Sequence, residues 1–107
     1  MDRATRNRYE TRAQIVKALA HPARLLIVDE LSRHPERCVC ELTELVGSDM
    51  STVSRHLSLL KNAGLLEDEK RGQMVFYRLR AKCITKFFEC IESVIARNTE
   101  IHAELRV

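Results

Sequence analysis

The spacing of hydrophobic residues changes along this chain, and the order of the changes limits the folds it can adopt. Cys38–Gly47 and Met50–Asn62 each repeat apolar residues at helical spacing, with only a short turn between them. From Leu65 to Leu79 the period falls to two, and Arg71-Gly72-Gln73 separates the two halves, as in a β-hairpin. Two short helices joined by a glycine-containing turn and followed by a hairpin are typical of a winged helix-turn-helix domain.

The rest of the chain is predicted to be helical. Apolar periodicity predicts helices over Arg6–Ala20, Pro22–Leu31 and Lys82–Leu105, and the hairpin strands over 66–70 and 74–79. With only 3 glycines and 2 prolines, the expected fold class is mainly α with a small β-hairpin (α+β). A chain of 107 residues is expected to form a single domain, here over 1–107.

The last helix carries more apolar surface than so small a domain is expected to cover. Its stripe consists of Ile84, Phe87, Phe88, Ile91, Val94, Ile95, Ile101 and Leu105. A helix with such a face needs a partner, so we expect a homodimer that forms through the first and last helices. The alternative is that the stripe folds back on its own domain.

Composition narrows the class of protein. The net charge of +3 is mildly basic and permits nucleic-acid binding without requiring it. No apolar run approaches the ~20 residues that span a bilayer, and the Arg-rich start lacks a secretory signal, so a cytoplasmic protein without membrane contact is expected. In a reducing compartment the 4 cysteines favour a metal or redox site over structural disulfides. No glycine-rich phosphate loop or acid–base constellation indicates an enzyme.

The second helix of the motif and the hairpin tip carry side chains suited to double-stranded DNA. Short hydroxyl side chains can approach DNA closely, and an arginine can reach a guanine edge or a phosphate. The alternative is that the hydroxyls are helix caps and the basic tip an ordinary turn. A dimer would place two such helices ~34 Å apart, which predicts a palindromic operator. The candidate DNA-binding residues are Ser51, Thr52, Ser54 and Arg55 on the helix and Lys70, Arg71 and Gln73 at the tip.

These segments resemble the ArsR/SmtB family of metal-responsive repressors, from roughly Ile15 to Leu79. The resemblance implies a dimer that binds operator DNA without ligand and releases it when an inducer binds. It also places His56 in the recognition helix, against a backbone phosphate or the core. The matching motifs are Leu19-Ala20-His21-Pro22-Ala23-Arg24-Leu25, Cys38-Val39-Cys40-Glu41-Leu42, Ser51-Thr52-Val53-Ser54-Arg55-His56-Leu57 and Arg71-Gly72 before Tyr77.

Within that family, Cys38-Val39-Cys40 is most similar to the site of sensors for arsenite or antimonite. Sensors for cadmium or lead are the second resemblance. The arsenite pattern has a third cysteine three residues later, where this chain has Thr43. Trivalent arsenic takes three sulfur ligands, so we expect Cys90 to supply the third from the same or the partner subunit. The alternatives for the third ligand are Cys83, a small-molecule thiol or none. If Cys83 and Cys90 bind no ion, they are expected to pack in the core as small hydrophobic residues. No obligatory cofactor is expected.

Helix geometry constrains the cysteine pair. Residues two apart on an α-helix point ~200° apart, so both sulfurs reach one ion only if Cys38 lies outside the helix or its first turn unwinds. A thiol redox sensor is the rival hypothesis, because a helix N-terminus and Arg37 should lower the pKa of Cys38 or Cys40. A Cys38–Cys40 disulfide would be cramped, which favours a disulfide to the last helix. A winged helix that binds only proteins, through its last helix, is a further alternative.

Overall fold

The computed structural model describes residues 1–105, and their side chains through His102. That part of the chain forms five helices and one three-stranded antiparallel sheet. The last two residues of the expected domain and the side chain of Leu105 lie outside the described residues. The elements are α1 (Arg3–Leu19), α2 (Pro22–Arg33), β1 (Arg37–Cys38), α3 (Val39–Val46), α4 (Met50–Asn62), β2 (Leu66–Arg71), β3 (Met74–Leu79) and α5 (Ile84–Leu105).

Capping side chains set where the first two helices begin. Asp2 accepts a 2.7 Å hydrogen bond from the backbone N–H of Thr5, so α1 begins at Arg3, three residues before the prediction. His21 caps α2 through Nδ1, which accepts from the backbone N–H of Ala23 at 3.0 Å. The break between the two helices is confirmed, and α2 continues two residues beyond the predicted end.

The predicted helix-turn-helix is confirmed. α3 ends at Gly47, whose φ of 76° is left-handed and whose N–H donates to the carbonyl of Thr43 at 3.0 Å. α4 begins after Asp49 and has the predicted bounds. Both helices pack on α2 and on each other. The residues that form the buried core are Ala18, Leu19, Ile27, Val28, Leu31, Leu42, Val53, Leu57, Leu60, Leu65, Leu66, Tyr77 and Leu79.

The hairpin differs from the prediction in its turn. Arg71 belongs to β2 and pairs with Met74 of β3, so the loop is the two residues Gly72-Gln73 and not three. Gly72 has a φ of 63°, the positive value that two-residue hairpin turns require at their first loop position. The tight turn aligns β2 and β3 along their full lengths as the wing, which we define as 66–79.

A third strand, β1, was not among the predicted elements. It pairs with β3, with Arg37 opposite Tyr77 and Cys38 opposite Phe76, so that β3 lies between β1 and β2. A two-residue strand contains no alternation from which to recognise it. Its consequence is direct: the cysteine segment is an edge strand of the wing's own sheet.

The last helix begins at Ile84, two residues after the predicted start. Cys83 lies in the turn that precedes the helix, whereas Cys90 lies within it. Ile84 and Phe88 pack against the core, but Val94 and other apolar residues further along are exposed, so only the first part of the stripe folds back on its own domain. None of the described helices is both long and apolar enough to cross a membrane.

Candidate DNA-binding surface and thiol site

The core fixes the rotation of α4. Val53, Leu57 and Leu60 are fully buried, which turns the opposite side of the helix, including Ser51 and Arg55, toward solvent. Within the described part of the chain Arg55 forms no ion pair. Its guanidinium is therefore available for a phosphate or a base edge.

The first polar side chains of α4 are held by the residue before the helix. The hydroxyls of Ser51 and Thr52 both donate to the carboxylate of Asp49. These hydrogen bonds lower the pKa of Asp49, and the bond from Ser51 has the largest effect. The two hydroxyls predicted to face DNA are thus bound within the protein, around an anion at the N-terminus of the recognition helix.

The remaining residues predicted on α4, Ser54 and His56, are half-buried. The His56 ring packs on that of His21, with 4.6 Å between centroids and 44° between planes. Burial first, and then the charges of His21, Arg24 and Arg55, lower the pKa of His56. Of the two positions expected for His56, the structure shows the one against the protein, where it joins α4 to the start of α2.

The cations of the wing differ in their surroundings. Lys70 is exposed and forms no ion pair within the described residues, and Gln73 is exposed in the turn. The guanidinium of Arg71 is occupied: it donates to both carboxylate oxygens of Glu36 at 2.7 and 2.8 Å and also to Glu69. These bonds raise the pKa of Arg71, and the bonds from Arg71 lower that of Glu36.

Other contacts extend this ion-pair network. The Arg71 guanidinium lies 4.6 Å from the centre of the Phe76 ring. Arg78 reaches Glu67 at 3.3 Å, Glu69 at 3.2 Å and Glu36 at 3.8 Å. Because Glu36 lies just before β1, the network links the segment that leads to the cysteines with both long strands of the wing.

Cys38 is the N-cap of α3 and lies outside the helix. Its sulfur accepts from the backbone N–H of Glu41 at 3.3 Å, and Oε1 of Glu41 accepts from the backbone N–H of Cys38 at 3.0 Å. Cys40 is the second residue of the helix and is exposed, whereas Cys38 is buried. Two geometries would let both sulfurs reach one ion, and the structure has the one in which Cys38 lies outside the helix.

The two sulfurs are joined in the structure by a Cys38–Cys40 disulfide. The structure has this bond and not the expected disulfide to the last helix; its Cα atoms are 5.4 Å apart, within the range of roughly 4.4–6.8 Å common for disulfides. The extended backbone of Cys38 makes this possible. Arg37, expected to act on the thiols, lies 3.5 Å from Glu41, which partly neutralises it.

The distal cysteines are not in the core. Cys83 and Cys90 are free and exposed, so the expectation that they pack as small hydrophobic residues is wrong. The described residues of the single chain contain no group of three His, Cys, Asp or Glu side chains able to hold a metal ion. The structure therefore does not bring Cys90 to the Cys38–Cys40 pair within one protomer.

A cavity of about 280 Å³ lies beside the cysteine pair and adjoins α4 and the wing, the two candidate DNA-binding elements. It includes Met50, the first residue of α4, and Met74, the first residue of β3. The sequence pattern did not single out either methionine, because a Met at the start of an element carries no spacing signal. The residues around this sulfur-lined cavity are Cys38, Val39, Cys40, Met50, Ser54, Gln73, Met74 and Val75.

Known proteins share this sequence and fold. The family model described as "Bacterial regulatory protein, arsR family" matches residues 21–68, which contain the helix-turn-helix. The arsenical resistance operon repressor of Escherichia coli is 42% identical over 84 residues, which cover 72% of this chain and 72% of that protein. The matched segment extends well beyond the recognition helix.

Solved structures agree with the sequence comparison. NolR from Sinorhizobium fredii superposes with a TM-score of 0.79 at 28% identity, over 88% of this chain and 93% of that one. A homodimeric winged helix-turn-helix DNA-binding domain from Mycobacterium bovis, a possible ArsR-family regulator, gives 0.78 at 28% identity, over 95% and 94%. Because the family model matches the helix-turn-helix and the arsenical resistance operon repressor is 42% identical over 72% of each chain, this chain belongs to the ArsR family of bacterial regulatory proteins, which are DNA-binding transcriptional regulators.

Proposed function

We propose that this chain is a cytoplasmic homodimeric repressor that releases a palindromic operator when a thiophilic ion reaches Cys38 and Cys40. The preferred candidate for the inducer is As(III) or Sb(III), followed by Cd(II) or Pb(II). The observation that carries the proposal is the position of the two sulfurs: they lie together at the start of α3, where Cys38 ends the strand that pairs with β3 of the wing and Cys40 lies in the helix that follows. Thiolates are the ligands that soft ions select.

Operator contact is assigned to the exposed side of α4 and to the wing tip. Arg55 enters the major groove, and Lys70 and Gln73 lie along the adjacent backbone. Ser51 and Thr52 contribute once their hydroxyls exchange the Asp49 carboxylate for DNA, and Ser54 lies on the same turn. The sulfur-lined cavity touches both elements, so a change there reaches the whole DNA-facing surface.

Dimerisation is assigned to α1 and α5 of a domain that spans 1–107. The exposed apolar side chains of these helices need cover, and a related domain of the same fold is homodimeric. An apolar groove of about 710 Å³ between α2 and α5 continues this surface. The exposed apolar residues are Tyr9, Ile15 and Val16 on α1 and Phe87, Val94, Ile95 and Ile101 on α5.

Release follows from two structural roles of Cys38. Its sulfur caps α3 and its backbone belongs to the strand opposite Phe76. In the structure the Cys38 sulfur caps α3 while it is bonded to Cys40. An ion held between the two thiolates moves the sulfurs apart, which removes the cap and displaces the edge strand of the wing. A coupling of about 1–3 kcal/mol changes operator affinity about 5- to 150-fold, so the loss of a few hydrogen bonds suffices.

The third thiolate for As(III) is assigned to Cys90 of the partner subunit. Within one chain the described residues form no three-ligand group, and Cys90 is exposed on the helix that we assign to the dimer interface. The partner's Cys90 thus makes the site dependent on the dimer. A free thiol such as glutathione is the alternative source, and only the partner's cysteine makes inducer affinity sensitive to Cys90→Ser.

The test is operator release by the reduced protein. Operator DNA is selected from a random duplex library, and its affinity is measured by fluorescence anisotropy during titration with arsenite, antimonite, cadmium and lead. We expect release by about 100-fold with arsenite, lost in Cys38→Ser and weakened in Cys90→Ser. Cys83→Ser is the matched control, a free exposed thiol before α5, and should respond like the native protein. Equal affinity with and without every ion would refute metal-linked release.

The Cys38–Cys40 bond favours a second candidate, an oxidant sensor. In that reaction hydrogen peroxide takes two electrons and two protons from the two thiols, giving one disulfide and two waters. The product is the bond that the structure contains. Release by peroxide without any ion, reversed by dithiothreitol and absent in Cys40→Ser, would favour this function over metal sensing.

A further inference from the structure

We infer that the sulfur-lined cavity is a site for a soft monovalent cation, Cu(I) or Ag(I), held by the thiolates of Cys38 and Cys40 together with the thioethers of Met50 and Met74. The inference deepens the proposed function and rests on it only for the effect on DNA. Binding of the cation is a separate property with its own measurement.

Four sulfur-containing residues from four elements line one cavity. Cys38 comes from β1, Cys40 from α3, Met50 from α4 and Met74 from β3, and the space between them is about 280 Å³. Neither methionine is a core residue, because 54% of Met50 and 46% of Met74 is exposed. A methionine side chain has three flexible bonds and adapts to irregular spaces, so both thioethers can turn toward the pair.

The donor set distinguishes between ions. The residues around the cavity include no carboxylate and no histidine, and the only polar side chains besides the cysteines are Ser54 and Gln73. Oxygen-seeking cations such as Mg²⁺ or Ca²⁺ therefore find few ligands here. Thiolates and thioethers are soft ligands, and Cu(I) is among the biological ions that they favour. Two thiolates and a thioether fit such a cation without the third thiolate that As(III) requires.

The cavity binds the ion only after the disulfide is reduced. A thiol reductant supplies two electrons and two protons, which convert the Cys38–Cys40 bond into two thiols. The cation then displaces the thiol protons to solvent and keeps its oxidation state, so no further electron transfer is needed. Metal affinity consequently rises with pH, as for any thiolate site.

The position of the methionines gives the cation a direct effect on DNA binding. Met50 begins the recognition helix, and Met74 follows the turn at the tip of the wing. Their coordination to the cysteine pair draws the start of α4 and the wing toward the same point. The DNA-facing surface therefore changes shape from both sides.

The test uses the full chain under anaerobic conditions with a phosphine reductant. Cu(I) affinity is measured by competition with the chromophoric chelator bicinchoninate for the native protein and for Met50→Leu, Met74→Leu and the double variant. Leucine conserves the volume, so the fold is retained. We expect the double variant to bind Cu(I) about tenfold or more weakly, on the scale by which lost ligand-supporting contacts lower metal affinity. Its arsenite affinity should not change, and the control Cys83→Ser should bind Cu(I) like the native protein.

Methyl NMR supplies a direct second readout. The chain has 3 methionines, so ¹³C-labelled methionine methyls give three signals. Addition of Ag(I) should shift the signals of Met50 and Met74 and leave that of Met1, an internal control, in place. Unshifted Met50 and Met74 signals, or equal Cu(I) affinity in the double variant, would overturn the inference. Methionine-dependent Cu(I) binding without operator release would support the site and refute metal-linked release by Cu(I).

Discussion

Replacing Lys70 with Gln should reduce the salt dependence of operator binding, whereas Arg71→Gln should leave it nearly unchanged. The two cations are neighbours on β2, but only Arg71 has internal counter-charges, Glu36 and Glu69. Lys70 is exposed and has no ion pair within the described residues, so it is surrounded by mobile ions until it meets DNA. Only a cation of that kind releases counterions from the DNA when it binds.

The magnitude follows from the charge count. Each phosphate that is neutralised adds about 0.9 to the slope of log affinity against log salt, and a dimer has two wings, so Lys70→Gln lowers the slope by about 1.8. Between about 0.1 and 0.4 M salt, the native protein loses about 12-fold more affinity than the variant does. For Arg71→Gln the slope changes by less than about 0.5, because Glu36 and Glu69 already neutralise the guanidinium.

The assay is fluorescence anisotropy with operator DNA at several concentrations of potassium chloride, and it compares slopes as well as single affinities. A slope that falls equally in both variants would show that Arg71 leaves its carboxylates for DNA, which would refute the reasoning. An unchanged slope in Lys70→Gln would place the wing away from the phosphate backbone. Circular dichroism checks that both variants keep the fold.

Three further predictions concern the thiol site, the core and the paired histidines. Thr43→Cys adds a thiol one helical turn after Cys40, so arsenite should bind at least about tenfold more tightly in competition with a dithiol chelator; equal affinity would contradict this. Leu57→Ala should lower the free energy of unfolding in urea by about 2–5 kcal/mol, because the side chain is fully buried. Leu59→Ala, on the exposed side of the same helix, should cost less than about 1 kcal/mol, and similar losses would place the core elsewhere. The pKa of folded His56 lies below its ordinary value of 6.5, so the unfolded chain takes up more protons as the pH falls below 6.5 and stability declines there. His56→Gln should flatten that decline in urea titrations at about pH 7.5 and 5.5, and an equally steep decline would assign it to other groups.

The helical part of the fold could be predicted because its signals are local. α4 has the predicted bounds, since its apolar period is complete and Ala63-Gly64 ends it. The start of α1 was predicted too late because Asp2 caps it before any apolar residue appears. β1 could not be predicted, because its two residues become a strand only through pairing with β3.

The candidate site divides in the same way. The cysteine pair and the recognition helix follow from motifs within a few residues. The pairing of Arg71 with Glu36 joins residues 35 positions apart, and no local pattern contains it. The approach of Met50 and Met74 to the cysteines likewise depends on how the wing packs against α4. Sequence identifies which residues face outward, and the fold decides which of them already have a partner.

We expect the carboxylate of Asp49 to affect the selectivity of the proposed operator binding as well. It holds the hydroxyls of Ser51 and Thr52 at the end of α4 where a phosphate would be attracted, and Glu36 and Glu69 hold Arg71 in the wing. Random DNA offers only phosphates to replace these internal anions, whereas the operator offers phosphates and specific base contacts. Because a genome offers millions of non-specific sites, the ratio of operator affinity to non-specific affinity decides where the protein is bound. We expect negative charge at the proposed DNA-binding surface to raise that ratio at the expense of total affinity.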